Sequence, residues 1–159
     1  MSKYMAIMTI ALLFFLVSAV SAGDGWETTI KVSVLTAENK LVIGQKADAS
    51  DAIDGRYDVP ALLAGDIQAY TGLEGDKYWK DIRQTCNAAC KKIWDIVIES
   101  DLEGEVVKLS WNSPAIPNGT GVVMKDTETG EIIDMCSGQQ EYGYENKGSR
   151  KFTLEVSTW

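Results

Sequence analysis

Apolar and polar residues alternate at a period of two along most of the chain. Such alternation is typical of β-strands that bury one face, and no stretch after residue 22 keeps the apolar periodicity of a helix over three turns. The strongest alternation predicts strands at residues 30–34, 41–43, 94–98, 107–111 and 152–156. Weaker alternation predicts further strands at residues 66–70, 78–83, 121–125, 131–135 and 141–145. The chain is therefore expected to bury its apolar side chains by pairing many short strands.

Turn-forming residues separate the predicted strands and favour antiparallel pairing. The sequence Asp-Thr-Glu-Thr-Gly at residues 126–130 predicts a hairpin between residues 122–124 and 132–133. Strands at such short intervals indicate an all-β fold, an antiparallel β-sandwich of about seven to nine strands, with a closed barrel as the competing architecture. A single helical turn near residues 60–64 would not change this class. The predicted core takes alternating residues from three strands: Trp94, Ile96, Ile98, Leu109, Trp111, Phe152, Leu154 and Val156.

The first 22 residues have the organisation of a secretory signal peptide. Lys3 gives a basic start, residues 6–17 are almost wholly apolar, and Val20-Ser-Ala22 supplies the small residues that signal peptidase requires. An uncleaved membrane anchor is the alternative, because the apolar stretch is nearly long enough to span a bilayer. We predict a signal peptide over residues 1–22, then a single β-sandwich domain over residues 23–159. The predicted location is secreted, at the cell surface or otherwise extracellular, with the periplasm as a further alternative.

Composition excludes several classes of function. The chain has no histidine, so it has no Ser-His-Asp or Cys-His catalytic pair, no histidine metal ligand and no c-type haem attachment. Its formal net charge of −8 argues against nucleic acid and anionic lipid as partners. Carboxylates are plentiful, but nothing in the sequence pairs two of them as a glycosidase requires. We therefore do not expect an enzyme.

A series of short motifs resembles one known family. A strand ending in Gly44 is followed by Asp48-Ala-Ser-Asp51, by Asp54-Gly55 and by Asp58-Val-Pro60. Later landmarks are Asp81-Ile-Arg83, Lys108-Leu-Ser-Trp111, Met124-Lys-Asp126, Ile133-Asp-Met135 and Leu154-Glu-Val156. Over residues 26–157 this order resembles a module that recurs in large secreted and surface proteins of bacteria. The resemblance implies a fibronectin-III-like or immunoglobulin-like β-sandwich without catalytic residues, although such modules usually lack the cysteines found here.

The acidic segment is the candidate metal site. Asp48, Asp51, Asp54 and Asp58 could supply oxygen ligands to Ca²⁺, the one cofactor that the sequence suggests. The spacing does not fit an EF-hand loop. The alternative is a solvated loop whose Asp side chains hydrogen-bond the local backbone and fix its turns.

Three cysteines, Cys86, Cys90 and Cys136, are candidates for disulfide bonding, because thiols of exported proteins tend to pair. A three-residue turn between two strand-like segments would bring Cys86 and Cys90 close enough to bond. Cys136 would then be free, buried or bonded to another molecule. Pairing of Cys136 with either of the other two remains an alternative, and a Cys-x-x-x-Cys redox centre lacks the surrounding βαβ pattern.

Aromatic residues suggest a second function. Tyr78 with Trp79, and Tyr142 with Tyr144, are the candidates for exposed, ligand-facing pairs. Such pairs would suit a carbohydrate-binding module, whereas Trp94 and Trp111 alternate with aliphatic residues and are expected in the core.

The expected function is therefore non-catalytic contact with other extracellular or surface proteins, as a component of an extracellular assembly. Carbohydrate binding is one alternative. The other is a strand-exchanged fibre, in which residues 26–34 pair with the sheet edge of a neighbouring subunit. The simpler expectation for that segment is that it folds into its own sheet.

Overall fold

We describe a computed structural model of the protein, which covers residues 25–86, 89–113, 116 and 118–158. The predicted signal peptide lies outside these residues. The described residues form eleven strands, namely β1 (Gly25–Val34), β2 (Ala37–Lys46), β3 (Val59–Pro60), β4 (Ile67–Leu73), β5 (Asp76–Gln84), β6 (Cys90–Ser100), β7 (Val106–Trp111), β8 (Thr120–Asp126), β9 (Ile132–Asp134), β10 (Glu141–Glu145) and β11 (Ser149–Thr158). The described residues contain no α-helix, and the helical turn considered near residues 60–64 does not form.

The all-β prediction is confirmed. Each of the ten predicted strand segments overlaps an observed strand, and the hairpin predicted at residues 126–130 joins β8 to β9. The strand count exceeds the predicted range. One of the additional strands is β3, a two-residue strand without any alternation that could have predicted it.

All strands belong to one hydrogen-bonded sheet, in the order β10-β7-β1-β2-β5-β4-β6-β11-β8-β9, with β3 paired to β5. Every pairing is antiparallel except that of β2 with β5. The sheet folds over at β5, because the last part of this strand pairs with β2 and its first part pairs with β4. In the part of the chain that the structure describes, the terminal strands β10 and β9 are not paired with each other. The sheet is therefore continuous, and it is not divided into two separate layers by its hydrogen bonding.

The larger of two apolar clusters lies inside the folded sheet, and the smaller one consists of Val42, Ala49 and Ile82. All eight predicted core residues are buried, and Trp94 and Phe152 are among the largest side chains without solvent contact. In β1 the buried positions alternate from Trp26 to Val34, and the strand pairs with β2 on one side and β7 on the other. Residues 26–34 thus fold into their own sheet, as the simpler expectation had it.

Two glycines allow β1 and β2 to approach closely near their ends. A Cβ atom on Gly44 would lie 2.1 Å from the carbonyl oxygen of Trp26, and one on Gly25 would lie 2.0 Å from the carbonyl oxygen of Gln45. Both distances are far below van der Waals contact, and in both cases the obstacle is backbone. Glycine in a strand commonly marks such a close approach.

Replacing Gly44 with alanine is expected to destabilise the fold, because the added methyl group would push β1 away from β2. We expect a loss of about 1–3 kcal/mol in the free energy of unfolding, the usual range for overpacking. The matched control is Gly72→Ala in β4, where a Cβ atom would meet nothing within 4 Å. Urea denaturation of both variants measures the difference. Equal stability of the two variants would contradict the packing argument.

Candidate contact surface

The acidic segment folds as a loop whose carboxylates bind protein groups. Arg56 donates hydrogen bonds to the carboxylates of Asp48 and Asp54, and the Tyr57 hydroxyl donates to Asp48 over 2.6 Å. The hydrogen bond from Tyr57 is the main cause that lowers the pKa of Asp48. For Asp54 the pKa is lowered mainly by hydrogen bonds from the backbone and side chain of Arg56. These two aspartates thus organise the loop itself.

The other two aspartates connect this loop to the sheet. Asp51 forms an ion pair with Lys92 of β6. Asp58 is buried and accepts hydrogen bonds from the backbone N–H groups of Asp54 and Ile82, at 2.7 and 2.9 Å. Burial raises the pKa of Asp58. Within the described residues no three acidic or cysteine side chains are grouped so that they could hold a metal ion. The segment is bound to protein at all four positions that the sequence proposed as calcium ligands.

A buried carboxylate that is not among the predicted site residues lies beside this loop. Asp81 of β5 has no solvent contact and accepts two hydrogen bonds from Arg83, at 3.1 and 3.2 Å. The Arg83 guanidinium lies 4.6 Å from the ring centroid of Trp94 and also donates to the carbonyl oxygen of Ile93. The Trp94 indole in turn donates to the carbonyl oxygen of Asp81. These contacts join β5 to β6 where β4 no longer lies between them.

Three of the four proposed ligand-facing aromatics are buried, so that part of the prediction is wrong. Tyr78, Tyr142 and Tyr144 are each less than a tenth exposed. Tyr142 and Tyr144 pack against Phe152, with ring centroids 6.1 and 5.7 Å away. Their period-two spacing in β10 directs both rings into the core, as the same spacing does for aliphatic residues. Among these four residues, only Trp79 keeps substantial solvent contact.

Tyr142 belongs to a buried ionic network at the end of β8. Asp126 accepts hydrogen bonds from Nε and Nη2 of Arg150 at 3.0 and 2.6 Å, and from the Tyr142 hydroxyl at 2.9 Å. Although burial alone would raise the pKa of Asp126, the hydrogen bonds from Arg150, the turn backbone and Tyr142 hold it below its usual value. Arg150 also lies over the ring of Tyr144, whose hydroxyl is buried without a hydrogen-bond partner among the described residues. Burial raises the pKa of Tyr144 strongly.

Cys86 and Cys90 form a disulfide, which is the pairing predicted from their spacing, with Cα atoms 5.8 Å apart. Cys136 is a free, exposed cysteine. It lines the rim of an open cavity of about 620 Å³ that also includes Ile116, Asn118 and Gln140. Gln45 fixes the disulfide to the sheet, because its side-chain Nε2 contacts the Cys86 sulfur and its side-chain Oε1 accepts a hydrogen bond from the Trp26 indole.

The most exposed apolar segment follows the acidic loop and consists of residues 59–64, which we call the leucine loop. The side chain of Leu62 is 89% exposed, that of Leu63 47% and that of Val59 37%. The backbone is nevertheless well anchored, because Val59 and Pro60 pair with β5. In addition, the Ala61 N–H donates to the carbonyl oxygen of Lys77 over 2.8 Å. The loop therefore presents two leucines to solvent from a fixed position. Its unbroken apolar run was the signal available in the sequence.

A shallow cavity of about 180 Å³ separates the leucine loop from the sheet. Its lining includes Ala61, Leu62, Leu63, Ala69, Lys40 and Trp79. The Lys40 ammonium lies 5.1 Å from the ring centroid of Trp79, so the indole is partly covered. The cavity is smaller than the 300–1,000 Å³ typical of small-molecule sites, roughly the size of one side chain. This geometry suits contact with another macromolecule.

No protein-family model, curated protein or solved structure matches the chain, so no relative assigns a function to this surface.

Removing the hydroxyl from each of the two buried tyrosines of β10 is expected to change the stability of the fold by different amounts. Tyr142→Phe removes a hydrogen bond to the ionised Asp126 and should cost about 1.5–3 kcal/mol in the free energy of unfolding. Tyr144→Phe removes an unpaired hydroxyl and keeps the ring over which Arg150 lies, so stability should be unchanged or slightly higher. Chemical denaturation at neutral pH compares them. A larger loss for Tyr144→Phe than for Tyr142→Phe would refute the assigned hydrogen bonding.

Asp126 is expected to contribute to acid denaturation. The pKa of Asp126 is lower in the folded state than in the unfolded state. The carboxylate therefore stabilises the fold at pH values above its unfolded pKa of 3.8. This contribution is lost as the pH falls through the folded pKa. Measuring the free energy of unfolding from about pH 5 to about pH 2 should show a shallower decline for Asp126→Asn than for the unmodified protein. Parallel pH profiles would show that Asp126 titrates normally in the fold.

Proposed function

We propose that the protein is a non-catalytic, exported module that contacts another extracellular or cell-surface protein through the leucine loop. The observation that carries this proposal is the exposure of Leu62 and Leu63 on a loop whose backbone is hydrogen-bonded to β5. Single exposed apolar residues are common on protein surfaces, but a contiguous apolar run typically marks an interaction site. The half-buried Trp79 beside these leucines adds an aromatic group, of the type enriched in interface hot spots.

Several observations support the extracellular setting of this proposal. The leader has the charge, apolar and small-residue order of a signal peptide. The Cys86–Cys90 disulfide is typical of proteins that fold in oxidising compartments. The all-β architecture also agrees with the proposed fibronectin-III-like or immunoglobulin-like module of bacterial surface proteins.

The two alternative functions have less support. Carbohydrate binding would depend on Trp79 alone among the four aromatics proposed for it, since Tyr78, Tyr142 and Tyr144 are buried. A glycan array is therefore expected to be blank. Strand exchange through residues 26–34 would have to replace two sets of hydrogen bonds, because β1 already pairs with both β2 and β7.

Charge introduced into the leucine loop is expected to abolish partner binding without unfolding the protein. Leu62→Asp/Leu63→Asp should reduce partner capture from the native extracellular fraction at least tenfold, because burying each leucine stabilises a complex by about 1.5–3 kcal/mol. The matched control is Leu35→Asp, at another strongly exposed leucine, in the β1–β2 turn. Quantitative mass spectrometry of the captured proteins gives the ratio. Equal capture by the two variants would exclude the leucine loop as the contact surface.

A further inference from the structure

The strand β10 lies at one end of the strand order and carries unpaired backbone groups. Among the described strands it pairs only with β7. Two hydrogen bonds show which residues of β10 direct their backbone groups toward β7. The Trp111 N–H donates to the Gln140 carbonyl oxygen, and the Asn146 N–H donates to the Glu105 carbonyl oxygen. In an antiparallel ladder such bonded pairs recur every second residue. The backbone groups of Tyr142 and Tyr144 therefore face β7, and those of Glu141, Gly143 and Glu145 face away from it.

These outward backbone groups are available for pairing. Gly143 and Glu145 make no backbone hydrogen bond on this side with any described residue, while the Glu141 carbonyl oxygen accepts one from the side chain of Gln139. All three residues are exposed. Unpaired strand edges of this kind bind extended segments by adding a strand to the sheet.

The side chains at the same edge define the charge of a suitable strand. Glu141 and Glu145 are exposed, lie on the outer face, and form no ion pair with a described residue. Gly143 lies between them without a side chain, and even a Cβ atom there would meet its neighbours only at 3.7 Å. A residue placed opposite Gly143 would be a diagonal neighbour of both glutamates, at about 7–8 Å. Lysine or arginine at that position can reach both carboxylates.

The inner face imposes the opposite preference. Tyr142 and Tyr144 point into the core and pack against Phe152. In an added strand, the two residues that flank the one opposite Gly143 would lie beside these rings, where apolar side chains fit. The required pattern is thus apolar, basic, apolar, with a period of two.

We propose that the free edge of β10 binds an extended segment of another protein in which lysine or arginine alternates with apolar residues, by strand addition opposite Gly143. This binding is distinct from that of the leucine loop, which lies beside β5. A module with both sites would contact two segments at once.

Gly143→Pro tests this binding directly. Proline removes the one N–H that faces the free edge at this position and leaves the N–H groups that face β7, and edge strands tolerate proline in this orientation. The probe is a capped seven-residue peptide in which lysine alternates with valine, titrated into isotopically labelled protein. Amide exchange at Gly143 and Glu145 should slow at least tenfold on binding in the unmodified protein and in the control Gly143→Ala. In Gly143→Pro, slowing at Glu145 should be lost, with protection of Tyr142 and Tyr144 reporting that β10 remains folded.

The charge preference has its own test, which does not depend on how proline is tolerated. Glu141→Lys/Glu145→Lys should lose affinity for the lysine–valine peptide at least tenfold and should bind the corresponding glutamate–valine peptide instead. Unchanged exchange at Gly143 and Glu145 in the unmodified protein, binding that survives Gly143→Pro, or equal affinity of the charge-reversed variant for both peptides would each overturn the proposal. A leucine-loop variant is expected to bind the peptide normally, so failure here and failure of the proposed function are distinguishable.

Discussion

The fold depends on how the backbone of β5 satisfies its hydrogen bonds. This strand turns the sheet over by pairing with β2 through its last residues and with β4 through its first residues. Lys80 pairs with both β2 and β3, and Tyr78 pairs with both β4 and β3. Because a residue in a sheet has one neighbouring strand on each side, β2 and β4 lie on the same side of β5, and β3 lies on the other side. Without further partners, that other side would be an open edge in the middle of the molecule. The Asp58 carboxylate, β3 and the Ala61 N–H cover it.

This requirement explains why the acidic segment and the leucine loop are adjacent in the chain. The segment from Asp48 to Asp58 brings a buried carboxylate to the Ile82 N–H, where no strand residue is available to accept that hydrogen bond. The leucine loop follows directly and continues along β5. The same residues that complete the sheet thus position the exposed leucines, so the proposed contact surface is attached directly to β5.

Local pattern was enough to predict most of the fold. The alternation at residues 152–156 and 94–98 identified strands and their inward faces correctly, because burial of one face imposes the period whatever the topology. The order of strands in the sheet was not predictable, since β1 pairs with β7 and β6 pairs with β11 across long stretches of chain. The sequence also could not show that Asp58 accepts from Ile82, because that bond depends on the path of the intervening loop. The alternation in β10 was present but was interpreted as an exposed aromatic pair, when the same alternation correctly predicted buried residues elsewhere. The leucine loop has no alternation at all, so its apolar run allowed a single helical turn, which does not form.

The position of β11 has a consequence for how the protein acquires its structure. This strand holds the last described residues of the chain, yet it lies between β6 and β8 and supplies pairing to both. A chain that emerges from a ribosome or an export channel with its N-terminus first exposes β6 and β8 well before their common neighbour is available. Trp94 and Met124 therefore lack their common pairing partner, Leu154, until β11 has been synthesised. Topologies of this kind, rich in contacts between distant residues, fold slowly. Nascent chains of this protein thus have a period in which β6 can pair only with β4 and β8 only with β9, so that each keeps one open edge that a chaperone for extended apolar segments could bind.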